Sequence, residues 1–427
     1  MLSRFQTATV LRRTNLPHIV LSAVGARMFS DSAPRCEAKK VQDRTKSTAF
    51  TKKIVGSQKK RLTGPIESVA NLKVNPAYYQ DAPVVELTDL IPASKGGAAI
   101  ASTELHITAA TRRFVDALRP THLPGKIGEK FKLFNTNGLL FRSETLELFQ
   151  KLSDSAGKHR PVIIDGSAGQ GKSMELLKLA SLASSLGYLV VYAPNTSTWV
   201  DSSQAYFPIA DSDMFEQWGV TSTLLKDVRA INDDLLHRIS VGKAATVGKT
   251  KFEADSTLAS VVDLGVKTPS LAHECLELML DVASQQGEVP VLVALDQANI
   301  FYCVTLYTNK NNKPLGAERL RLIQALAPFI EGKRRLEKGL VLSATSRTEP
   351  RFQNSTIDAM VKGSAIDKGF DVLNLSKLSF NEMQSLLSFY QNCMLHYEDI
   401  DAQEVIRKLL VTNGNPRRLF DLCTGFA

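Results

Sequence analysis

Cysteine is scarce in this sequence and irregularly placed. Its five cysteines, Cys36, Cys275, Cys303, Cys393 and Cys423, form no C-x-x-C pair and no regular series. That excludes a disulfide scaffold and a thiol-ligated zinc module, and leaves reduced thiols that pack as small apolar groups. Long apolar runs are also missing. The longest uncharged stretch, Leu179 to Val200, is interrupted by Gly187, Pro194 and a cluster of Ser, Thr and Asn, so no membrane span is expected. There is no H-E-x-x-H, no zinc-ligand cluster and no ordered Ser/His/Asp set, which removes the common hydrolase and metalloprotease readings. No internal repeat is visible.

What remains is 427 residues of ordinary globular composition, 44% hydrophobic and 22% charged, enough for roughly two or three folded units. The charge is unevenly placed. Residues 1–73 carry 15 Lys/Arg against 4 Asp/Glu, and the remaining 354 carry 37 against 39. The basic excess therefore belongs to an N-terminal extension around a nearly neutral body.

Residues 1–29 hold Arg4, Arg12, Arg13 and Arg27, and no acid precedes Asp31. An amphipathic, basic, acid-free start reads as a mitochondrial presequence, with cleavage after Phe29 in Arg27-Met-Phe-Ser30. Residues 30–75 form a lysine-rich arm with Lys39-Lys40, Lys52-Lys53 and Lys59-Lys60-Arg61, too poor in apolar residues to fold by itself. It serves either as a contact to RNA phosphates or as a solvated linker. Residues 76–138, broken by five prolines, read as a wrapping segment with one helix near Thr108 to Leu118.

From 139 to 376 the pattern alternates. Apolar strands are expected at Pro161–Asp165, Tyr188–Ala193, Val289–Asp296, Gly339–Thr345 and Phe370–Leu375, separated by helical segments such as Lys172–Leu186. Unbroken apolar strands alternating with helices predict an α/β fold whose parallel sheet is covered on both faces. A helical insertion is expected near 194–288, with helices at Thr223–Ile239 and Ser270–Ser284. Residues 377–427 read as helical throughout.

One motif carries chemistry. Gly166-Ser167-Ala168-Gly169-Gln170-Gly171-Lys172-Ser173 lies between an apolar strand and an amphipathic helix, where a P-loop belongs. The glycines let backbone N–H groups converge on phosphates, the helix adds its positive end, Lys172 reaches the outer phosphates and Ser173 can ligate Mg²⁺. The complementary acid is Asp296, closing a second apolar strand, as the other metal-side residue. Its neighbour is Gln297, not the Glu of active ATPases, and an amide is a poor base for the attacking water. Slow or absent hydrolysis is expected. Thr345 is placed to sense the terminal phosphate. Arg347 and Arg351 could act at the nucleotide or on RNA, and Leu139-Leu-Phe-Arg142 could place Arg142 beside the base. The stretch Asn309-Lys-Asn-Asn312 lacks the Asp that reads guanine, so ATP and GTP both stay open on the residues alone.

The presequence, the loop Gly166–Ser173, Leu295-Asp-Gln-Ala-Asn299, Thr305 to Pro314 and Leu342-Ser-Ala-Thr-Ser346 together resemble the death-associated protein family, nucleotide-binding proteins of the mitochondrial small ribosomal subunit. The likeness runs from about Pro76 to the C-terminus. It implies an AAA-like five-stranded core with a helical lid at 377–427, in which Gly414-Asn-Pro-Arg-Arg418 resembles the start of the last helix. It further implies stably bound GTP or GDP with Mg²⁺, contacts with small-subunit ribosomal RNA and other mitochondrial ribosomal proteins, and a matrix location. Gly169, Gly171, Lys172, Ser173 and Asp296 carry the family's binding roles. The alternative is an active mitochondrial AAA-like ATPase that remodels a protein or nucleic-acid partner; Gln297 weighs against it. A kinase using the same loop lacks an identifiable acceptor site.

Deleting residues 1–29 is expected to abolish matrix accumulation in a fractionation assay, since they hold the only recognisable address. Normal matrix levels of the truncated chain would overturn this.

Overall fold

Runs of aliphatic residues with no polar alternation must be covered on both sides, and here they build one sheet. The computed structural model describes residues 105–106, 114, 139–154, 159–348 and 369–425, all within the unit spanning residues 74–427. The expected presequence, basic arm, most of the wrapping segment with its helix, and Arg351 lie outside the described residues.

β1 (Leu105–His106) pairs antiparallel with β2 (Leu139–Leu140), and α1 (Ser143–Ser153) follows. β3 (Val162–Asp165), α2 (Lys172–Ser185) and β4 (Leu189–Ala193) come next. The insertion holds the small hairpins β5 (Phe207–Pro208)/β6 (Phe215–Glu216) and β7 (Ala245–Val247)/β8 (Thr250–Phe252). It also holds helices α3 (Trp218–Ile231), α4 (Asp233–Arg238), α5 (Leu258–Lys267) and α6 (Ala272–Gln285). The chain returns through β9 (Val291–Leu295), the hairpin β10 (Val304–Thr308)/β11 (Pro314–Gly316), α7 (Arg321–Ile330), β12 (Gly339–Ala344) and β13 (Asp371–Asn374). α8 (Phe380–Asn392), α9 (Ala402–Thr412) and α10 (Pro416–Thr424) close it.

The central sheet runs β13-β3-β12-β9-β4 with every neighbouring pair parallel. Its first strand in the chain is thus inside and its second at an edge. This is the strand order of the P-loop, AAA-like α/β architecture, with helices on both faces. Alternate residues of each strand serve two cores: Leu189, Val191, Val293 and Val341 pack toward the insertion helices. Val190, Tyr192, Leu292 and Leu340 pack toward α1 and α2 with Phe114. A third apolar cluster, built on Met383, Leu387, Val405 and Leu419, holds the three C-terminal helices together.

One expected helix is broken. The segment read as Thr223–Ile239 divides into α3 and α4 at Asn232, whose side chain is recruited by the sheet. Asn232 Oδ1 accepts from the Val190 N–H at 2.7 Å, and Nδ2 donates to the Val190 and Val228 carbonyls at 2.8 and 2.7 Å. The amide acts as one rung of an extra strand along edge strand β4. Because buried backbone groups left unpaired are costly, Asn232→Ala is expected to lower unfolding free energy by about 3 kcal/mol, read as a shift in the urea midpoint. A shift below about 0.5 kcal/mol, the range of ordinary surface changes, would show that the rung is dispensable.

Candidate nucleotide site

At the carboxyl edge of the sheet the polar side chains of three neighbouring strands meet. β3 ends in Asp165 and runs directly into the loop Gly166–Ser173, and α2 begins at Lys172. Gly166, Gly169 and Gly171 have φ of 149°, 81° and 97°, values that L side chains rarely adopt. At Gly169 a Cβ would also stand 2.7 Å from Asn415 Oδ1 and 2.8 Å from Arg417 Cβ. Conformation and close approach both require glycine there.

The loop is held by its own side chains. Lys172 Nζ donates to the carbonyls of Gly166 and Ser167 at 2.6 and 2.9 Å, and the Ser167 N–H donates to Gln170 Oε1 at 2.7 Å. Burial pushes the Lys172 ammonium down to about 8, with Arg347 adding to the effect and Asp165 and Asp296 opposing it. All four charges therefore act within one small volume.

Asp296, one residue beyond β9, is 1% exposed. Burial pushes its carboxyl up to about 6 against the opposing pull of the Ser173 hydroxyl, the Gln297 N–H and Lys172. Oδ1 accepts from the Gln297 N–H at 2.9 Å, whereas Oδ2 is buried without a hydrogen-bond partner. An orphaned carboxylate oxygen beside a serine hydroxyl at a helix N-terminus is a donor set that suits a hard divalent cation. At Gly171 no atom lies within 4 Å of where a Cβ would stand, leaving room at the helix start for a phosphate. The residues present fit Mg²⁺ and phosphates.

Gln297 adopts a left-handed conformation (φ 57°), and its Oε1 accepts from the Ser197 N–H at 2.9 Å. Its carbonyl is thus turned to the turn after β4. Thr345, just past β12, donates to Asp165 Oδ1 at 2.5 Å, and Arg347 grips both Asp165 oxygens at 2.9 and 2.8 Å. Burial alone would raise Asp165, but these bonds hold it below the ordinary carboxylate value.

Arg142 is tied to the loop and to the C-terminal helices. It is 4% exposed, and its Nε bonds Glu382 Oε1 at 3.2 Å, its Nη1 the Gln170 carbonyl at 3.5 Å, and its Nη2 the Ser376 carbonyl at 2.9 Å. Its donors are committed to joining the loop to the C-terminal helices. Glu382 also caps α8 through the Ser379 N–H. The helical unit reaches the loop a second time: Asn415 Nδ2 donates to the Ala168 carbonyl at 2.8 Å and the Arg417 N–H to the Gly169 carbonyl at 3.2 Å.

Two other clusters compete less well for chemistry. His396, Glu398 and Glu404 bring possible metal-ligand atoms within 4.8 Å of one another, but Lys408 lies 3.0 Å from Glu404 and 3.6 Å from Glu398, with Arg407 bridging the same pair. The cluster is internally neutralised. A cavity of about 360 Å³ is lined by Asn195, Trp199 and Leu224 at the end of β4 and on the insertion helix α3, with no residue of the loop in its lining.

The family model described as mitochondrial ribosomal death-associated protein 3 matches residues 139–422. The chain belongs to this family. Small ribosomal subunit protein mS29 of Schizosaccharomyces pombe is 25% identical over 321 residues, covering 70% of this chain and 67% of that protein. The Bos taurus protein of the same name is 26% identical over 320 residues, covering 71% and 80%. Among solved structures, AMPPCP-bound DnaA from Aquifex aeolicus is similar over 66% of this chain and 60% of its own, at 11% identity and a TM-score of 0.31. So loose a superposition leaves the fold assignment to the strand order itself.

Within this family member, Asp296 generates a prediction with a definite sign. Its carboxyl binds a proton more readily in the folded chain than in the unfolded one, so its charge destabilises the fold above pH 6 and this penalty fades as pH falls from 6 toward 4. Asp296→Asn is expected to stabilise nucleotide-free protein by about 2 kcal/mol at pH 7 and to flatten that part of the pH profile. Lower stability of the variant at pH 7 in chemical denaturation would contradict the assignment.

Proposed function

We infer that this protein is a structural component of the mitochondrial small ribosomal subunit, held in the matrix, that carries a nucleotide and Mg²⁺ as a fixed ligand. Family membership over residues 139–422 supports the ribosomal role. Contacts with small-subunit ribosomal RNA and with neighbouring ribosomal proteins follow from that placement. The family resemblance supports GTP or GDP as the ligand, and ATP is the competitor that a binding measurement has to include.

The observation that carries the fixed-ligand reading is the occupation of the groups around Asp296. Hydrolysis needs an acceptor for the proton of the attacking water. The Gln297 carbonyl is tied to the Ser197 N–H, and Asp165 is bound by Thr345 and Arg347. Ser173 and Asp296 would hold Mg²⁺, which when bound would supply charge neutralisation for the phosphates. Lys172 would leave the Gly166 and Ser167 carbonyls to meet them, and Gln170 would release the Ser167 N–H toward the same anion. The C-terminal helices, bonded to the Ala168 and Gly169 carbonyls, are steadied as the loop is filled.

A ligand bound only by the native state stabilises it by about 4 kcal/mol at a thousandfold excess over its Kd, a large share of a domain's net stability. Lys172→Ala is therefore expected to weaken nucleotide binding by about one to two decades and to reduce accumulation of the protein and of small subunits on sucrose gradients. Wild-type protein should co-sediment with small subunits, retain nucleotide through purification and show negligible turnover. Rapid turnover, or full subunit levels carrying nucleotide-free Lys172→Ala protein, would refute the fixed-ligand reading.

A further inference from the structure

The four charges at the loop are not equivalent. Lys172 is bound to carbonyls, which release it without leaving a bare charge. Arg347 is bound to a carboxylate in a two-pronged grip, Nη2 to Asp165 Oδ2 at 2.8 Å and to Oδ1 at 2.9 Å, with Nε at 3.3 Å from Oδ1. The pair is mostly buried, with 16% and 11% of the two side chains exposed.

Their position relative to the loop is fixed by strand register. β12 pairs with β3 through Ala344 opposite Ile164, and the Thr345 N–H continues the ladder to the Ile164 carbonyl at 3.0 Å. Thr345 and Arg347 therefore stand over the end of β3, beside the start of the loop. In a P-loop the backbone and the helix N-terminus hold the inner phosphates, and the lysine reaches outward to the next. A third phosphate would extend toward this carboxyl edge, where Asp165 and Arg347 both act on Lys172.

Resting on the nucleotide site inferred above, we propose that the Asp165–Arg347 pair reads the number of phosphates. A diphosphate fills the loop with the pair intact. A terminal third phosphate takes the Arg347 guanidinium away from Asp165, offering the same planar fork of acceptors with greater charge, while Thr345 keeps its bond to Asp165. The parting of the ion pair opposes only the triphosphate. The pair thus biases the site toward the diphosphate, and Arg347 is a specificity residue rather than a generic surface charge.

The test is calorimetric titration of the full chain with magnesium complexes of GDP and of a non-hydrolysable GTP analogue, repeated with the adenine pair. Asp165→Asn, which keeps the side chain's size, is expected to raise triphosphate affinity about tenfold and leave the diphosphate within about threefold. Arg347→Gln leaves Asp165 facing the incoming phosphate and should lower triphosphate affinity about tenfold or more, again sparing the diphosphate. If Arg347→Gln does not fold, Asp165→Asn decides alone. Equal changes for both nucleotides, or none, would overturn the proposal while leaving the site in place. A wild-type chain that binds no nucleotide, alongside an unaffected Lys172→Ala variant, removes the site and the proposal together.

Discussion

A parallel sheet covered on both faces has nowhere to put a polar side chain except at its ends, and this constraint organises the molecule. From β3 to β12 the strand interiors are apolar but for the Tyr192 hydroxyl and Ser343, and the two cores on either side are built from buried apolar side chains. Asp165, Asp296 and Thr345 each stand where a strand stops, so three neighbouring strands deliver their polar groups to one edge. Because that edge is itself nearly closed to water, Asp296 and Lys172 are both pushed toward their neutral forms. The same burial that stabilises the sheet thus creates a local deficit of solvation that an ion and an anion together can fill.

The second organising feature is Arg142. One buried guanidinium touches the Ser376 carbonyl just after β13, the phosphate loop at Gln170 and the carboxylate that caps α8. Removing a charge that satisfies several carbonyls and a buried carboxylate leaves each of them unpaired. The loop and the C-terminal helices consequently share hydrogen bonds from two directions, through Arg142 and through Asn415. A change in loop conformation cannot remain local.

Much of this was legible in the sequence, and the illegible parts share a cause. The five strands were visible because burial on both faces writes itself as an unbroken apolar run, and the loop because its glycines and lysine have fixed spacing. α5 was not foreseen: Val261, Val262 and Gly265 are poor helix formers. It exists because it packs between α3 and α6, where a Cβ at Gly265 would lie 2.5 Å from Leu225 Cδ1 and 2.8 Å from Cys275 Cβ. Asn232 reads as an ordinary helix residue until β4, 42 positions earlier, is placed beside it. Arg142 and Arg347 owe their occupations to partners 240 and 182 positions away. Periodicity reports what a residue does for its own element; it is silent about side chains whose partner belongs to another.

The amide of Asn232 has one more effect. Edge strands are the places where sheets grow by recruiting a stranger's backbone, the first step of strand exchange and fibril formation. β4 is five apolar residues long, the composition most prone to it. With the Val190 N–H and carbonyl already filled by a side chain fixed at a helix junction, an incoming strand meets an occupied rung in the interior of β4. A single asparagine therefore guards the edge of the folded sheet against strands from other copies as well as completing the fold.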